Sequence, residues 1–367
     1  MNRPRVAFLV NGTQTSAMAE RARALASRLS GRFDIALLHR SSRGIDGAMR
    51  LWRSLRSQQP GIVYVLDMGA AGVIAAWGYR RFTRHARVVI DTGDAIYELV
   101  RSSGMRGRIG QGLTWGLERF ALAMADHLVV RGTFHKELLV ERGHDPSRIS
   151  VVQDGVDLAQ FAPRCGKPLR DQLGQNGQLV VGLIGSSVWS DRLQMCYGWD
   201  LVEAMYLLKD QPVKGMLIGD GNGIEHLRRR CREYGIEDKV IFLGRIEYER
   251  LAEYLAAMDV CLSTQTNDIP GRVRTTGKLP LYLAAGKHVL ASKVGEAERV
   301  LPEAMLIDYH GTRDESYPQR LAERIRSLLR DRSCRLGSSA VQIARQHFDY
   351  DVLAPRIGDV LEKLAHV

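Results

Sequence analysis

Residues Val213–Thr264 read VKGMLIGDGNGIEHLRRRCREYGIEDKVIFLGRIEYERLAEYLAAMDVCLST. Three apolar runs of strand length, VKGMLIGD, KVIFLG and DVCLST, alternate there with two stretches of helical period, IEHLRRRCREYG and YERLAEYLAAM. A continuous apolar run marks a strand buried on both faces, whereas recurrence every three or four residues marks a helix with one face on a core. Strand, helix, strand, helix, strand is the order of a parallel sheet, because parallel neighbours need a long crossover that a helix supplies.

The alternation extends in both directions. Upstream lie LVVGLIG and the helical WDLVEAMYLLK; downstream RTTGKLPLYLAAGKHVLAS, Arg274–Ser292, reads as loop, helix, turn and buried strand, and AMLIDY follows. The first half repeats the scheme with RVAFLV, DIALLH, IVYVLD, RVVIDT, HLVVR and ISVVQDGV, separated by helical patterns such as AMAERARALASRLS and GLTWGLERFALAMA. One polar stretch with Pro and Gly, DLAQFAPRCGKPLRDQLGQNGQ, interrupts the series and reads as a linker region. A chain of 367 residues is also too long for one ordinary core. The sequence therefore predicts an α/β protein of two doubly wound, Rossmann-like domains. They are residues 1–163, with a C-terminal helix at about 350–367 packing back on them, and residues 164–349. Ligands of such sheets bind outside the carboxyl ends of the strands, so the crevice between the domains is the natural site.

Composition narrows the class. A hydrophobic fraction of 45% with 25% charged residues is that of a soluble globular protein. Five scattered cysteines (Cys165, Cys196, Cys231, Cys261, Cys334) fit a reducing cytoplasm and argue against a disulfide framework or a zinc site. The ten histidines form no metal pattern, and His39, His85 and His127 read as surface or sheet residues. The run VAFLV after Arg3 and Arg5 reads as a first strand and not as a signal peptide. GIVYVLDMGAAGVIAAWGY, Gly61–Tyr79, is nearly long enough to span a bilayer, but Asp67 and the glycines divide it into strand, turn and helix.

The net charge is +11, and residues up to about 160 carry about +9 of it, nearly all as arginine. The clusters MRLWRSLR, YRRFTRHAR and RSSGMRGRIGQGLTWGLERF are either a solvated basic face or an attractor of phosphate. The phosphate would belong to an anionic bilayer or to a phosphorylated acceptor. The last cluster interleaves Met105, Ile109, Leu113 and Trp115 with arginines, as interfacial helices do. No nucleic-acid-binding module accompanies the charge.

Five loops sit where chemistry is expected. In RTTGKLPLYLAAG, Pro280 suits the first position of a helix, Gly277 allows close backbone approach, and Lys278 adds a charge beside free N–H groups, which together make an anion cradle. GLIGSSVWSDR, Gly182–Arg192, is a buried strand ending in a small-residue loop, read either as a tight turn with a surface arginine or as a phosphate contact through Gly185, Ser186 and Arg192. LIGDGNG has glycines spaced G-x-G-x-G, and the next strand ends in Gly-Arg without an acid, so nicotinamide and flavin binding are rejected; the glycines let the loop pass close to a ligand or to a neighbouring loop. In VIDTGDAIYE, Asp94 either caps the following helix or meets sugar hydroxyls, and Asn11, Gly12 and Thr13 reach the same crevice from VNGTQT. The Asp349–Asp351 pair reads as a helix cap, not as a metal motif.

These residues resemble a known family. ISVVQDGVDLAQFAP is similar to the interdomain signature of retaining glycosyltransferases of the GT-B fold, family 4 (glycosyl transferases group 1), in which Asn-Gly-Val-Asp is usual; Asp154 stands here for the Asn. The stretch from Met216 to Thr264 resembles the family nearly end to end, and LERFALAMADHLVV resembles its first-domain helix and strand. The resemblance implies a GT-B enzyme that moves a hexose from a nucleoside-diphosphate sugar, such as a UDP-sugar, to an alcohol acceptor with retention. It implies a donor held mainly by the second domain and an acceptor mainly by the first. No metal or other cofactor is implied, since basic groups and a helix dipole stabilise the leaving phosphate. The base would meet Gly244, Arg245 and Ile246. The diphosphate would lie against Gly185, Ser186, Arg192, Thr276, Gly277, Lys278, Leu279 and Pro280. Asp94, Arg192 and Lys278 would be catalytic, with Gly12 and Glu298 completing the donor site.

Beyond Asp154, the chain departs from the family at three points. Its usual pair of glutamates falls on Val273 and Leu281, leaving Asp268, Glu296 or Glu298 as substitutes, and TGD replaces a histidine after a first-domain strand. The basic first domain points to an anionic or lipid-linked acceptor, as in cell-envelope polysaccharide synthesis, at the inner face of the membrane. Two alternatives stay open: a catalytically diverged GT-B protein that binds a nucleotide, and a GT-B-fold sugar-nucleotide epimerase.

Overall fold

The computed structural model describes residues 3–42, 44–104, 106–275 and 277–366, so Met105 and Thr276 lie outside the described residues. Two compact units result: Met1–Gly155 with Val273–Thr275 and Phe348–Val367, and Val156–Arg272 with Thr276–His347.

The first unit runs β1 (Arg5–Val10), α1 (Ala17–Leu29), β2 (Asp34–His39), α2 (Gly44–Gln58), β3 (Ile62–Leu66), α3 (Ala70–Phe82), β4 (Arg87–Thr92), α4 (Ile96–Ser103), α5 (Arg108–Met124), β5 (His127–Val130), α6 (Thr133–Glu141) and β6 (Ile149–Val151). Its six strands are parallel in the order β2-β1-β3-β4-β5-β6. All five residues of β3 are buried, as a strand covered on both faces requires. One face carries α2, α3 and α5, whose Leu51, Leu55, Val73, Ala76, Ala121 and Leu122 share a core with Val63 and Ile90.

The second unit runs α7 (Lys167–Gln172), β7 (Leu179–Ile184), α8 (Trp199–Leu207), β8 (Val213–Ile218), α9 (Ile224–Tyr234), β9 (Val240–Gly244), α10 (Leu251–Ala257), β10 (Val260–Ser263), α11 (Ile269–Val273), α12 (Lys278–Ala284), β11 (His288–Ser292), α13 (Glu296–Val300), β12 (Leu306–Ile307), α14 (Tyr317–Arg330) and α15 (Gly337–His347). Its sheet is again parallel, in the order β12-β11-β10-β7-β8-β9. The final helix, α16 (Tyr350–Ala365), returns to the first unit. There Leu353, Ile357 and Leu361 join Leu25 and Leu29 of α1 in the core on the other face. Burying each such side chain is worth about 1.5–3 kcal/mol. Asp349 caps it by accepting from Asp351 N at 2.9 Å.

The stretch read as a linker is anchored, which moves the division from 163/164 to Gly155/Val156. Val156 and Phe161 are fully buried, and Asp157 accepts from Ala159 N and Gln160 N at 3.0 and 3.2 Å. Gly166 lies so close to α10 that a Cβ there would sit 2.1 Å from the Ala256 carbonyl oxygen. Polar composition concealed these few buried anchors. Gly61–Tyr79 forms β3, a turn and α3, and no described helix is long and apolar enough to cross a membrane.

Strand order reverses between β1 and β3 in the first unit and between β7 and β10 in the second. Such switch points leave a crevice beyond the carboxyl ends of the strands, because successive crossovers depart to opposite sides.

Candidate functional site

At the switch point of the second unit, β7 ends in Gly185, Ser186 and Ser187. Two loops are laced together there by backbone bonds: Gly185 N donates to Ile218 O, Ser187 N to Asp220 O and Gly223 N to Ser187 O, each at 2.8 Å. The glycines of LIGDGNG make this possible. Gly219 and Gly221 hold φ of +138° and +134°, and a Cβ on either would come within 1.9 Å of Gly185 O or 2.3 Å of Ser187 O. Of the two roles left open for these glycines, the neighbouring loop is the one observed.

Gly185 meets a cation. A Cβ there would lie 2.8 Å from Lys278 Nζ and 2.9 Å from Tyr197 Cε1, while Lys278 Nζ sits 3.3 Å from the centroid of the Tyr197 ring. The ring is braced by its hydroxyl, which donates to Leu262 O at 3.1 Å, and Ile184 N donates to the Tyr282 hydroxyl at 2.7 Å. An ammonium is thus held on an aromatic face against bare backbone at the end of β7. A side chain at Gly185 would displace the ammonium or the ring.

The neighbouring expectations fare unevenly. Helix α12 starts at Lys278 with Gly277 as its cap, so Pro280 is the third helical residue and not the first. Proline is tolerated there because no N–H of the first turn has an intrahelical acceptor. Leu279 and Pro280 are buried, so their side chains belong to the core. Thr276 lies outside the described residues. Arg192 is exposed on the turn closed by the antiparallel Ser190–Met195 bridge. Gly244 ends β9 at φ +68°, its carbonyl accepting from Gly219 N at 2.8 Å, with Arg245 exposed and Ile246 half-buried after it.

The positions of the family's glutamates are apolar in environment as well as identity: Val273 is 0% and Leu281 7% exposed. Asp268 does not replace them, since it caps α11, accepting from Thr266 Oγ1 at 2.7 Å and Gly271 N at 3.0 Å. Glu296 is buried on α13. Glu298 is exposed and, with Arg272, Lys293, Asp308 and His310, lines a cavity of about 390 Å³ beyond the ends of β11 and β12.

The first unit carries a feature that sequence reasoning missed. Four successive strands end in a charge, Asp67 after β3, Asp91 in β4, Arg131 after β5 and Asp154 after β6, and Arg21 of α1 joins them. Arg21 Nε donates to Asp91 Oδ2 at 2.8 Å and Tyr64 OH to the same oxygen at 2.7 Å; Arg131 Nε donates to Asp91 Oδ1 at 3.2 Å and its Nη2 to Asp67 Oδ1 at 3.0 Å. Asp154 Oδ1 lies 3.5 Å from Arg131 Nε and 3.7 Å from Arg21 Nη1, which accounts for an acid where the family usually has Asn. Burial pushes the Asp91 carboxyl up, but Arg21, Arg131 and the Tyr64 hydroxyl outweigh it and hold the group below its usual range. Burial raises Asp67, and Arg131 opposes the rise. Asp67 also holds φ +69°, an uncommon conformation for a residue with a Cβ.

Asp94 stands beside this network. Capping is not its role: Ala95 is the cap residue of α4, and Glu118 of α5 accepts from Tyr97 N at 2.7 Å to serve that helix end. Asp94 Oδ1 accepts instead from Arg274 Nε at 2.8 Å, both side chains remaining nearly two-fifths exposed, and Thr275 Oγ1 donates to Arg131 O at 2.9 Å. His135 of α6 is buried with its Nδ1 unpartnered among the described residues. Burial lowers its pKa to about 4 against the opposing pull of Asp94. Gly12 packs on Ser16, and Asn11 is structural: its Nδ2 donates to Asp67 O at 2.8 Å and its Oδ1 accepts from Gly72 N at 2.8 Å, bridging the β1–β3 switch point.

Comparison with known proteins shows the family. Residues 5–160 match the model described as Glycosyltransferase Family 4, and residues 181–331 that of Glycosyl transferases group 1. A D-inositol 3-phosphate glycosyltransferase of Thermomonospora curvata is 32% identical over 261 residues, 66% of this chain and 58% of the relative. One of the same name from Xylanimonas cellulosilytica is 29% identical over 68% of this chain and 60% of its own length. The chain thus spans about three-fifths of the length of these curated relatives. Among solved structures, Anabaena Alr3699/HepE in complex with UDP-glucose superposes with a TM-score of 0.75 at 18% identity, covering 98% of this chain and 99% of that one. Two domain matches in sequence order, on two parallel sheets of this topology, identify the chain as a member of the GT-B glycosyltransferases, family 4 and group 1.

Proposed function

We propose that the chain is a retaining glycosyltransferase that takes a nucleoside-diphosphate sugar in its second unit and passes the sugar to an alcohol acceptor. The observation that carries this is Lys278 Nζ held over the Tyr197 ring against the bare backbone of Gly185, at the switch point of the sheet. A prepositioned ammonium suits the charge that develops on a departing diphosphate and needs no reorganisation as the bond breaks. Arg192 would add forked donors from its turn, and Gly244, Arg245 and Ile246 would border the base. Glu298, with the 390 Å³ cavity beside it, would meet the donor's sugar. Asp94 and Arg274 would orient acceptor or donor hydroxyls. An anionic alcohol is favoured by the basic first unit and agrees with relatives named D-inositol 3-phosphate glycosyltransferases. No metal is assigned a role.

Calorimetric titration with UDP, GDP and ADP, on the wild type and Lys278→Ala, tests the donor site. One nucleotide should bind, and the substitution should weaken it at least tenfold; affinity untouched by Lys278→Ala overturns the assignment. The second reading, nucleotide binding without transfer, is favoured by the buried apolar character of Val273 and Leu281. Release of nucleotide from a panel of sugar donors, with and without acceptor, separates the two.

A further inference from the structure

Exposed apolar side chains are ordinary when scattered, but here they are concentrated. Of twelve exposed large hydrophobics among the described residues, nine lie on α2, α3 and α5, the layer covering one face of the first unit's sheet. Since the inner sides of these helices fill the core, the nine lie on the outer side. On α5, Ile109, Leu113 and Phe120 follow one stripe and are 84%, 70% and 40% exposed. Phe120 meets Trp77 of α3 edge-on at 6.0 Å, and Phe82 meets Trp52 of α2 at 6.2 Å, so the stripes of the three helices join.

The charge beside this patch is mostly positive. Arg119 lies over Trp115 at 5.1 Å and Arg56 over Trp52 at 5.2 Å. Next to Trp77 a cavity of about 850 Å³ is lined by Arg80, Arg81, Arg84, Arg87 and Arg148, with Asp126 the acid among its lining residues. Arg80 and Arg87 share Asp126, at 3.0 and 3.6 Å. Arg81 and Arg84 are exposed. The cavity opens at the amino ends of β4 and β5, the opposite edge of the sheet from Asp91 and Arg131.

We propose that the outer face of α2, α3 and α5 seats the protein on an anionic phospholipid bilayer. The apolar stripe enters the boundary between headgroups and acyl chains, and the arginine cavity receives lipid phosphates. The charge favours a bilayer as the occupant: exposed Arg81 and Arg84 and the arginine-lined cavity lie beside the apolar stripe, and clustered arginine next to apolar surface is what an anionic headgroup layer attracts. Tryptophan and arginine interleaved on an amphipathic surface suit the headgroup region, where one end of each side chain is apolar and the other meets phosphate. This surface works whether or not the chain transfers sugar, so its test is independent of the donor site.

The test is flotation of the full chain with vesicles of phosphatidylcholine alone and of phosphatidylcholine with phosphatidylglycerol. Binding should require phosphatidylglycerol and weaken with salt. Arg81→Ala with Arg84→Ala should lower partitioning about 25-fold, at about fivefold per charge. Ile109→Ser with Leu113→Ser should abolish it on the same vesicles while circular dichroism and the melting temperature stay unchanged. Equal binding to neutral vesicles, no binding to either, or variants that bind like the wild type would overturn the proposal. So would a self-associated species in light scattering that Leu113→Ser dissolves, since the patch would then be a contact between copies.

Discussion

Asp91 is the strongest place to test the charged network of the first unit. Its carboxylate is 0% exposed and accepts from Arg21, Arg131 and Tyr64, while Arg21 and Arg131 have side-chain exposures of only 1% and 6%. Asp91→Asn preserves shape and removes the charge, leaving two buried guanidinium groups with only Asp154 at 3.5–3.7 Å and Asp67 at 3.0 Å to balance them. Removing one partner of a buried ion pair costs about 3–5 kcal/mol, a large part of the 5–15 kcal/mol that typically stabilises a domain. Urea unfolding followed by circular dichroism should show the midpoint of the first unit falling with its slope unchanged. The pH dependence has a definite sign. The folded carboxyl titrates below its unfolded value of about 3.9, so its contribution is fully present above that pH and is lost as pH falls through the folded value. The variant should therefore be destabilised at pH 7 and lose this part of the acid limb. A cost under about 1 kcal/mol at pH 7 would show that the two arginines are satisfied without Asp91, and the network as described would be refuted.

Three further outcomes follow from the same structure. Asp200 of α8 is buried, and burial, with Asp314 and Glu203 adding to it, pushes its carboxyl up to about 7; Asp200→Asn should stabilise the second unit at pH 8 by at most about 4 kcal/mol and give no gain at pH 4, as read by denaturation at both. His135, lowered to about 4 by burial, supports stability above its unfolded value of about 6.5 and withdraws up to about 3 kcal/mol as pH falls toward 4, so its ring resonances should titrate below pH 5, and a midpoint between 6 and 7 would contradict its burial. Gly221→Ala places a Cβ 2.3 Å from Ser187 O at φ +134°, which should cost about 2 kcal/mol in thermal unfolding and weaken nucleotide binding by shifting the Gly185–Ser187 loop.

The double sheet was legible because hydrophobic runs and helical periods alternate without ambiguity, and strand segments such as IVYVLD and HLVVR carry their order in the chain. The charged network was visible in the same segments and still went unread. Each of IVYVLD, RVVIDT, HLVVR and ISVVQD ends on or near a charge, but a single terminal charge looks like the polar boundary of any strand. Only the parallel register, which sets Leu66 beside Asp91 and Asp91 beside Val129, brings those ends to one edge. Lys278 was read as flanking a helix terminus. Its place over Tyr197 depends on two residues 81 positions apart in sequence, a pairing that no local pattern encodes. Glu118 as the partner of the α4 end, in place of Asp94, was hidden for the same reason.

The two switch points are electrostatically unlike, and this bears on the missing glutamates. In the first unit the charges at the ends of β3 to β6 meet opposite ones: two arginines face three aspartates, and the adjacent Asp94 is matched by Arg274. In the second unit the ammonium of Lys278 lies on a ring face beside glycine backbone, and a positive charge so placed attracts an added anion. An acid on α12 would not simply complete that site. Leu279 through Ala284 are all buried, and Leu281 sits among them, so a carboxylate placed there would have to lose its water before reaching a sugar hydroxyl. The departure at Leu281 is thus part of the packing of α12, and Val273 is buried as well. If a donor binds, the partners of its hydroxyls must come from groups that already stand in water, and in the second unit Glu298, on the wall of its cavity, is such a group.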